Sequence, residues 1–433
     1  MDSVTPAGSI DVPLPARPSQ PVGAIAATTA SAAPRSRIES IDLLRGLIMA
    51  IMMLDHTRDF AHFQSFDFDA ADPARTDTVL FFTRWITHFC APVFVFLAGT
   101  GAFLQHMRGK SRAELSRFLV ARGLWFVAFE VVVLRLVIFM NADYQVLLAF
   151  LQVIWAIGWS LVFLAAIVHL PLRAIVVVSI GIIVGHNLLD GVRVTSGGGP
   201  GIVLPGALVA IWKILHEPGP IFPFGTPGPA VLVLYPLIPW VAVMSAGYAC
   251  GGLYKWSERE RRQLLFRLGA GLSIGFILLR AVNVYGDPVH WSSQGTTMKT
   301  VFSFLALSKY PPSLLYLMMT LGPALMFLAW SERHTQSRLA KVLVTYGKVP
   351  LFFYVLQWIV AHGFAILASR LAGKSTDYLF GNLFLSPPPP AGYGFGMPIV
   401  YAMWILGLIL LYPLCRWFAG VKARRRDWWL SYI

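Results

Sequence analysis

Charge is scarce in this sequence. Asp, Glu, Lys and Arg make up 13% of its 433 residues, against about 25% in an average soluble domain. The hydrophobic set makes up 56%, and the mean hydropathy is +0.64. A water-soluble α/β enzyme is thereby excluded, as is a disordered or collagen-like chain. Cysteine is scarce too. Cys90, Cys250 and Cys415 all fall inside apolar runs and offer neither a disulfide framework nor metal-ligand spacing. The period-2 alternation of an outer-membrane barrel is missing. So is a basic stretch followed by an uninterrupted apolar core near the start, and no signal peptide is expected.

What the chain does have is apolar length. Residues 1–37 are rich in Ala, Pro, Ser and Thr without apolar periodicity, the composition of a disordered tail. From Ile41 onward about ten runs are long enough to cross ~30 Å of hydrocarbon as helices. They cover residues 41–60, 79–106, 118–140, 146–168, 172–189, 230–253, 264–284, 311–330, 342–367 and 398–419. Backbone groups cannot stay unpaired in lipid, so the expected fold class is all-α. It is a polytopic membrane helical bundle, forming a single domain over 38–433. Proline interrupts it at Tyr235-Pro-Leu-Ile-Pro-Trp240, Tyr310-Pro-Pro-Ser313 and Gly347-Lys-Val-Pro350, each time near a membrane surface. The loops at 191–229 and 368–397 are long and Gly/Pro-rich. The first holds an apolar piece, 207–215, suited to an interfacial helix, with a plain connector as the equal alternative.

The excess of 35 basic over 21 acidic residues, a net charge of +14, invites a nucleic-acid reading, but its distribution follows the membrane instead. With both termini cytoplasmic, most Lys and Arg fall on the inner side. They include Arg108, Lys110, Arg112, Arg117 and Arg122 in one loop, and Lys255, Arg259, Arg261, Arg262 and Arg267 in another. The opposite side receives Asp67, Asp69, Asp72 and Asp77 against Arg75. The basic residues are thus topological determinants and anionic-lipid contacts. The expected partner is the bilayer and not nucleic acid, with a homo-oligomer left open.

Ionisable side chains inside the spans cost about 2.5–3.5 kcal/mol each near the bilayer centre, so those retained are candidates for function. The first run carries Asp55, His56, Arg58 and Asp59; the second carries Arg84 and His88, four apart and on one helix face. Antiparallel neighbours bring Asp55, His56, Arg84 and His88 to similar depth, as a polar site open to the non-cytoplasmic side. Arg58, Asp59, Arg280 and Lys309 also suit headgroup positions, and Glu130 with Arg135 suits a structural ion pair. Asp42 and Arg45 suit a helix-end pair. An imidazole with an ordinary pKa near 6.5 can take and return one proton, which directs attention to His56 and His88. Metal binding by His56, His62 and an aspartate lacks motif spacing, and no metal is expected.

Several of these residues belong to longer patterns. Ser40-Ile-Asp-Leu-Leu-Arg-Gly-Leu47, continuing to Leu54-Asp-His-Thr-Arg58, resembles the opening of the heparan-alpha-glucosaminide N-acetyltransferase catalytic family, and most closely its bacterial branch. The stretches Thr83–Gly99, Lys309–Leu314, Tyr346–Phe352, Tyr412–Phe418 and Arg424–Leu430 extend the resemblance. It implies an acyltransferase of the bacterial inner membrane, moving acetyl from cytoplasmic acetyl-CoA to an amino-sugar or glycan acceptor on the outer side. Asp42, Arg45 and Gly46 match the family's Asp-x-x-Arg-Gly and carry over as donor-binding residues. Pro92, Phe94, Phe96 and Gly99 match its second-helix pattern. Two departures stand out. Thr78 lies where the lysosomal members have a lumenal-loop histidine, and Gln357 lies where many bacterial members have a histidine, with His362 nearby.

On this reading His88 or His56 is the general base, Asp55 orients the imidazole and Arg84 meets the developing oxyanion. Donor phosphates fall to Arg45 and the Arg108–Arg122 loop. The rival is a transporter or flippase using the same buried charges, against which stands the absence of any visible inverted repeat. An inert structural membrane protein would leave those charges without a purpose.

Overall fold

The computed structural model describes residues 1–2, 38–196, 201–383, 388–425 and 427–431. Most of the expected tail, residues 3–37, and Arg426 of the C-terminal basic cluster lie outside the described residues. Ile38–Ile433 forms one compact unit.

The first run is the helix α1 (Glu39–Ala61). The second is divided: α2 (Thr78–Thr87) stops at His88 and α3 (Cys90–Met107) continues after it. In the third, α4 (Arg112–Phe129) passes through a π-helical turn, Glu130–Leu134, into α5 (Arg135–Phe139). The fourth opens as a strand, β1 (Leu147–Leu151), before α6 (Val153–Ile167). After α7 (Leu172–Gly185) come β2 (Val194–Thr195), β3 (Ile202–Val203), the anticipated short helix α8 (Gly206–Leu215) and β4 (Gly219–Ile221). The sixth run likewise begins as strand, β5 (Ala230–Val233), then α9 (Leu237–Gly251). The remainder is α10 (Glu258–Val282), α11 (Thr297–Leu305), α12 (Leu314–Ser331), α13 (Arg338–Lys348), α14 (Pro350–Leu371) and α15 (Met397–Arg424).

Among the described residues seven helical stretches are long and apolar enough to cross a membrane. The chain is a mostly helical integral membrane protein. The wholly helical expectation is corrected at 147–151 and 230–233, where β1 pairs in parallel with β5 and β5 antiparallel with β4. A short run of Val, Leu and Phe does not distinguish a buried strand from a helix. Pro236, extended at the N-cap, keeps Tyr235 out of the helix, and α9 begins at Leu237. The small sheet gives the unwound backbone its hydrogen bonds and, through the Leu151–Val233 register, sets Gln152 beside Leu234.

α1 is the hub, packed on α2, α3, α12, α13, α14 and α15. Its crossing with α13 is made by two glycines. A Cβ on Gly46 would lie 1.8 Å from the Leu343 carbonyl oxygen, and one on Gly347 would lie 1.9 Å from that of Asp42. The α3–α9 crossing repeats the device: a Cβ on Gly99 or Gly247 would fall 1.9 Å or 2.0 Å from a carbonyl oxygen of the facing helix. Close backbone approach through small residues is how helices associate where lipid removes the hydrophobic drive. Gly46 is therefore required by the α1–α13 crossing, a packing reason for glycine at this motif position. Gly347→Ala, overpacking a rigid backbone contact, is expected to cost about 1–3 kcal/mol. A lower melting temperature in detergent, with Gly363→Ala as control because a Cβ there meets nothing within 4 Å, checks this.

Candidate active site

One end of the bundle holds a cavity of about 240 Å³, the space of about eight waters at ~30 Å³ each. Its wall is built by the last turns of α1, by α2, by the β1–α6 and β5–α9 junctions, by Lys309 and Tyr310 ahead of α12, and by Trp358 of α14. The loop from His62 to Ala70 adds to its lining. Local bonds hold that loop: Ser65 Oγ donates to the Arg58 carbonyl at 2.7 Å, and Phe395 N donates to the Ala61 carbonyl at 2.7 Å. Asp77, one of the acidic loop residues, accepts from Val79 N and Leu80 N at 2.8 and 2.9 Å and caps α2.

Asp55, His56 and Arg84 come together in this cavity, as their spacing predicts. Arg84 Nη1 donates to both Asp55 oxygens, at 3.1 and 2.9 Å. Arg58 Nη2 approaches the same carboxylate at 2.9 Å and Asp59 at 2.5 Å. Asp55 is thus clamped between two guanidiniums, so its expected role in orienting an imidazole is corrected. Two cations have claimed it, and His56 has another partner.

That partner is Gln357, 301 residues away, whose amide lies against His56 Nδ1, with Oε1 at 2.9 Å. Gln357 Nε2 also donates to the Tyr354 carbonyl at 3.2 Å. The same Nε2 lies 2.6 Å from His56 Nδ1, so the NH₂ can serve the Tyr354 carbonyl and the imidazole together. Nδ1 is thus taken up by the Gln357 amide, as donor to Oε1 or acceptor from Nε2, and the tautomer follows the amide's orientation. Trp358 stacks on the ring at 3.5 Å with planes 19° apart, fixing its tilt.

His88 stands elsewhere. It caps α2 in the α2–α3 break, its backbone carbonyl accepts from Tyr316 Oη at 2.7 Å, and its side chain does not line the cavity. The α-helix ends at Thr87, between Arg84 and His88, while His88 keeps a helical backbone. Asp42 and Arg45 pair at 3.0 Å near the start of α1, and Arg45 also donates to the Gly347 carbonyl at 3.2 Å. At 1.5 Å per residue Arg45 lies about 16 Å along the helix from His56.

Several residues suited to headgroups are inside. Arg58 is 7% exposed and Lys309 is 9% exposed, and both line the cavity with Asp59. Arg58 Nη1 is buried with no hydrogen-bond partner among the described residues. Arg280 is buried as well, donating to the carbonyls of Val289, Ser303, Phe304 and Ala306. Glu130 and Arg135 do not pair. Glu130 accepts from Trp155 N at 3.2 Å at the start of α6, while Arg135 holds the carbonyls of Asn141, Asp143 and Leu147. His362 stacks on Phe60 at 4.3 Å.

His62 also lines the cavity, and its Nδ1 accepts from Gln64 N at 3.3 Å. Burial, with the Arg58 guanidinium next in effect, pushes its imidazole down to about 4. It is neutral at physiological pH and charges only in acid. Between an unfolded value near 6.5 and about 4, the unfolded chain binds a proton that the native chain refuses. Stability from this group is present above that window and falls with pH through it. His62→Asn is therefore expected to lose less melting temperature than the parent between pH 6.5 and 4.5, which paired thermal scans measure.

Residues 37–276 match the family described as heparan-alpha-glucosaminide N-acetyltransferase, catalytic. That stretch is more than half of the 433 residues. The chain belongs to this family. It is a membrane enzyme of acetyltransferase type. No curated protein matches the chain. Asp55, His56, Arg58, Arg84, Gln152 and Tyr235 lie within the family stretch, whereas Lys309, Tyr310 and Trp358 complete the cavity from outside it. Thr78 is the exposed first residue of α2.

Proposed function

We propose that the chain transfers an acetyl group from cytoplasmic acetyl-CoA to the amine of an amino sugar or glycan on the outer side of a bacterial inner membrane, with His56 as general base. One observation carries the reading: a polar cavity at one end of the bundle is lined by the His56 imidazole beside the cations Arg58 and Lys309, in a chain of this family. About ten spans with both termini cytoplasmic, a cytoplasmic tail at 1–37 and one catalytic domain at 38–433 complete the topology. In that orientation the cavity opens outward and the Asp42–Arg45 pair faces the cytoplasm. Arg45 and the Arg108–Arg122 loop then meet the donor phosphates. The cavity suits a sugar-sized group and the acetyl, and is too small for the whole donor.

In the transfer step the acceptor nitrogen attacks the thioester carbonyl carbon. His56 Nε2 takes the proton that nitrogen sheds as the C–N bond forms, and returns it to the thiolate leaving with the broken C–S bond. Arg58 Nη1 and Lys309 meet the carbonyl oxygen as it gains negative charge; Arg84, held by Asp55, fixes the wall. No metal enters the step. Calorimetry with acetyl-CoA on detergent-purified protein tests the donor half: binding weakened by Arg45→Ala and kept by His56→Ala supports it. Absence of binding, or saturable uptake of a polar solute without any donor, would turn the reading towards transport.

A further inference from the structure

A second histidine cluster lies apart from the cavity. α7 runs into a 3-10 turn, His186–Leu189, so that His186 and Asp190 flank one turn of chain. His216 follows α8 as its C-terminal cap. α8 is held over this turn by Trp212 Nε1, which donates to the Val192 carbonyl at 3.1 Å. As a result one ligand atom each from His186, Asp190 and His216 lies within 4.8 Å of the others.

The polar accounting is incomplete without a further group. His186 is 3% exposed, and both of its ring nitrogens are buried with no hydrogen-bond partner among the described residues. A neutral imidazole carries one donor and one acceptor, and native interiors rarely leave such groups unpaired. Asp190 is half satisfied. Asn187 Nδ2 donates to its Oδ2 at 2.7 Å, and Asn187 is itself fixed by accepting from Leu314 N at 2.9 Å. The other oxygen, Oδ1, stands 3.8 Å from His216 Nε2, too far for a hydrogen bond. Two ligands bound tetrahedrally at 2.0–2.1 Å sit about 3.4 Å apart, so closing this gap takes a small movement. His216 Nε2 would exchange its 3.1 Å contact with the His186 carbonyl for the ion.

We propose that His186, Asp190 and His216 bind one divalent transition-metal ion, Zn²⁺ by preference, which fastens α8 to the end of α7. Two imidazoles and one carboxylate form a nitrogen-rich set suited to Zn²⁺ and its neighbours and poor for Ca²⁺ or Mg²⁺, which require oxygen. Asn187 supplies the outer hydrogen bond that orients the ligating carboxylate. Three protein ligands leave a fourth position for water. None of the three residues lines the cavity, so the site is independent of the acetyltransferase reading.

The test uses the full chain with a non-histidine affinity tag, purified in detergent, incubated with ZnCl₂ and passed through gel filtration. Elemental analysis is expected to find about one Zn²⁺ per chain, falling to the level of a metal-free control in His186→Ala and His216→Ala. Loading the parent with Co²⁺ is expected to give visible ligand-field absorption that added Zn²⁺ abolishes. If the alanine variants do not remain monodisperse, Asp190→Asn and the Co²⁺ spectrum of the parent decide. A parent that leaves the column without metal and shows no Co²⁺ bands overturns the proposal, as does equal metal in parent and variants.

Discussion

His56→Ala lowers acetyl transfer by about 10²–10⁴-fold, the contribution of a positioned general base, while acetyl-CoA binding is unchanged. The reason is geometric. His56 lines the cavity with Nδ1 engaged by Gln357 and the ring face covered by Trp358, so Nε2 is the ring nitrogen that the Gln357 amide does not occupy. Alanine removes that nitrogen and leaves the clamped Asp55 in place, so the variant is expected to fold. His88→Ala provides the contrast. It removes a buried side chain outside the cavity, and is expected to lower the melting temperature while retaining activity within a few-fold per folded molecule. Activity and melting curves measured on both proteins separate the roles. Full activity in His56→Ala, or loss in His88→Ala without loss of fold, would move the base to another residue.

Asp55→Asn is expected to destabilise the chain by about 3 kcal/mol, the lower end for breaking a buried ion pair from one side. The side chains of Asp55, Arg58 and Arg84 are 11%, 9% and 13% exposed. Removing one carboxylate charge leaves two guanidiniums facing each other with little solvent. Asp59 still meets Arg58 at 2.5 Å, which keeps the cost at that lower end. The double variant Asp55→Asn/Arg84→Gln is expected to recover part of the loss, because one uncompensated cation goes with it. Thermal unfolding in detergent reads both effects. An unchanged melting temperature in Asp55→Asn would mean that water enters the clamp freely.

The membrane character and the polar site near one end were legible because charge inside an apolar run is costly and therefore conspicuous. Asp55, His56 and Arg84 announced themselves in that way. Arg58 and Lys309 did not, since a basic residue near the end of a span reads equally well as a headgroup contact until its burial is seen. Gln357 stood out only as a departure from the family pattern. Its bond to His56 is a tertiary event between α1 and α14 that no local spacing encodes. His88 is hidden in a similar way: apolar continuity across 79–106 conceals the interruption between α2 and α3 at which it sits, off the cavity wall. Gly46, carried over as part of a motif, belongs to the α1–α13 crossing, and only the facing carbonyl of Leu343 reveals this. The strands at the start of the fourth and sixth runs were hidden by their own apolarity.

The central claim is transfer across the membrane to an acceptor in the outer cavity. The direct measurement uses proteoliposomes of one protein orientation, with labelled acetyl-CoA on the side of the Asp42–Arg45 end and a glucosamine-terminated acceptor on the cavity side. Acetylated acceptor appearing on the cavity side, and vanishing with His56→Ala, is the predicted result. Acceptor labelled only when it shares the donor's compartment, or labelled equally by the His56→Ala protein, would contradict it.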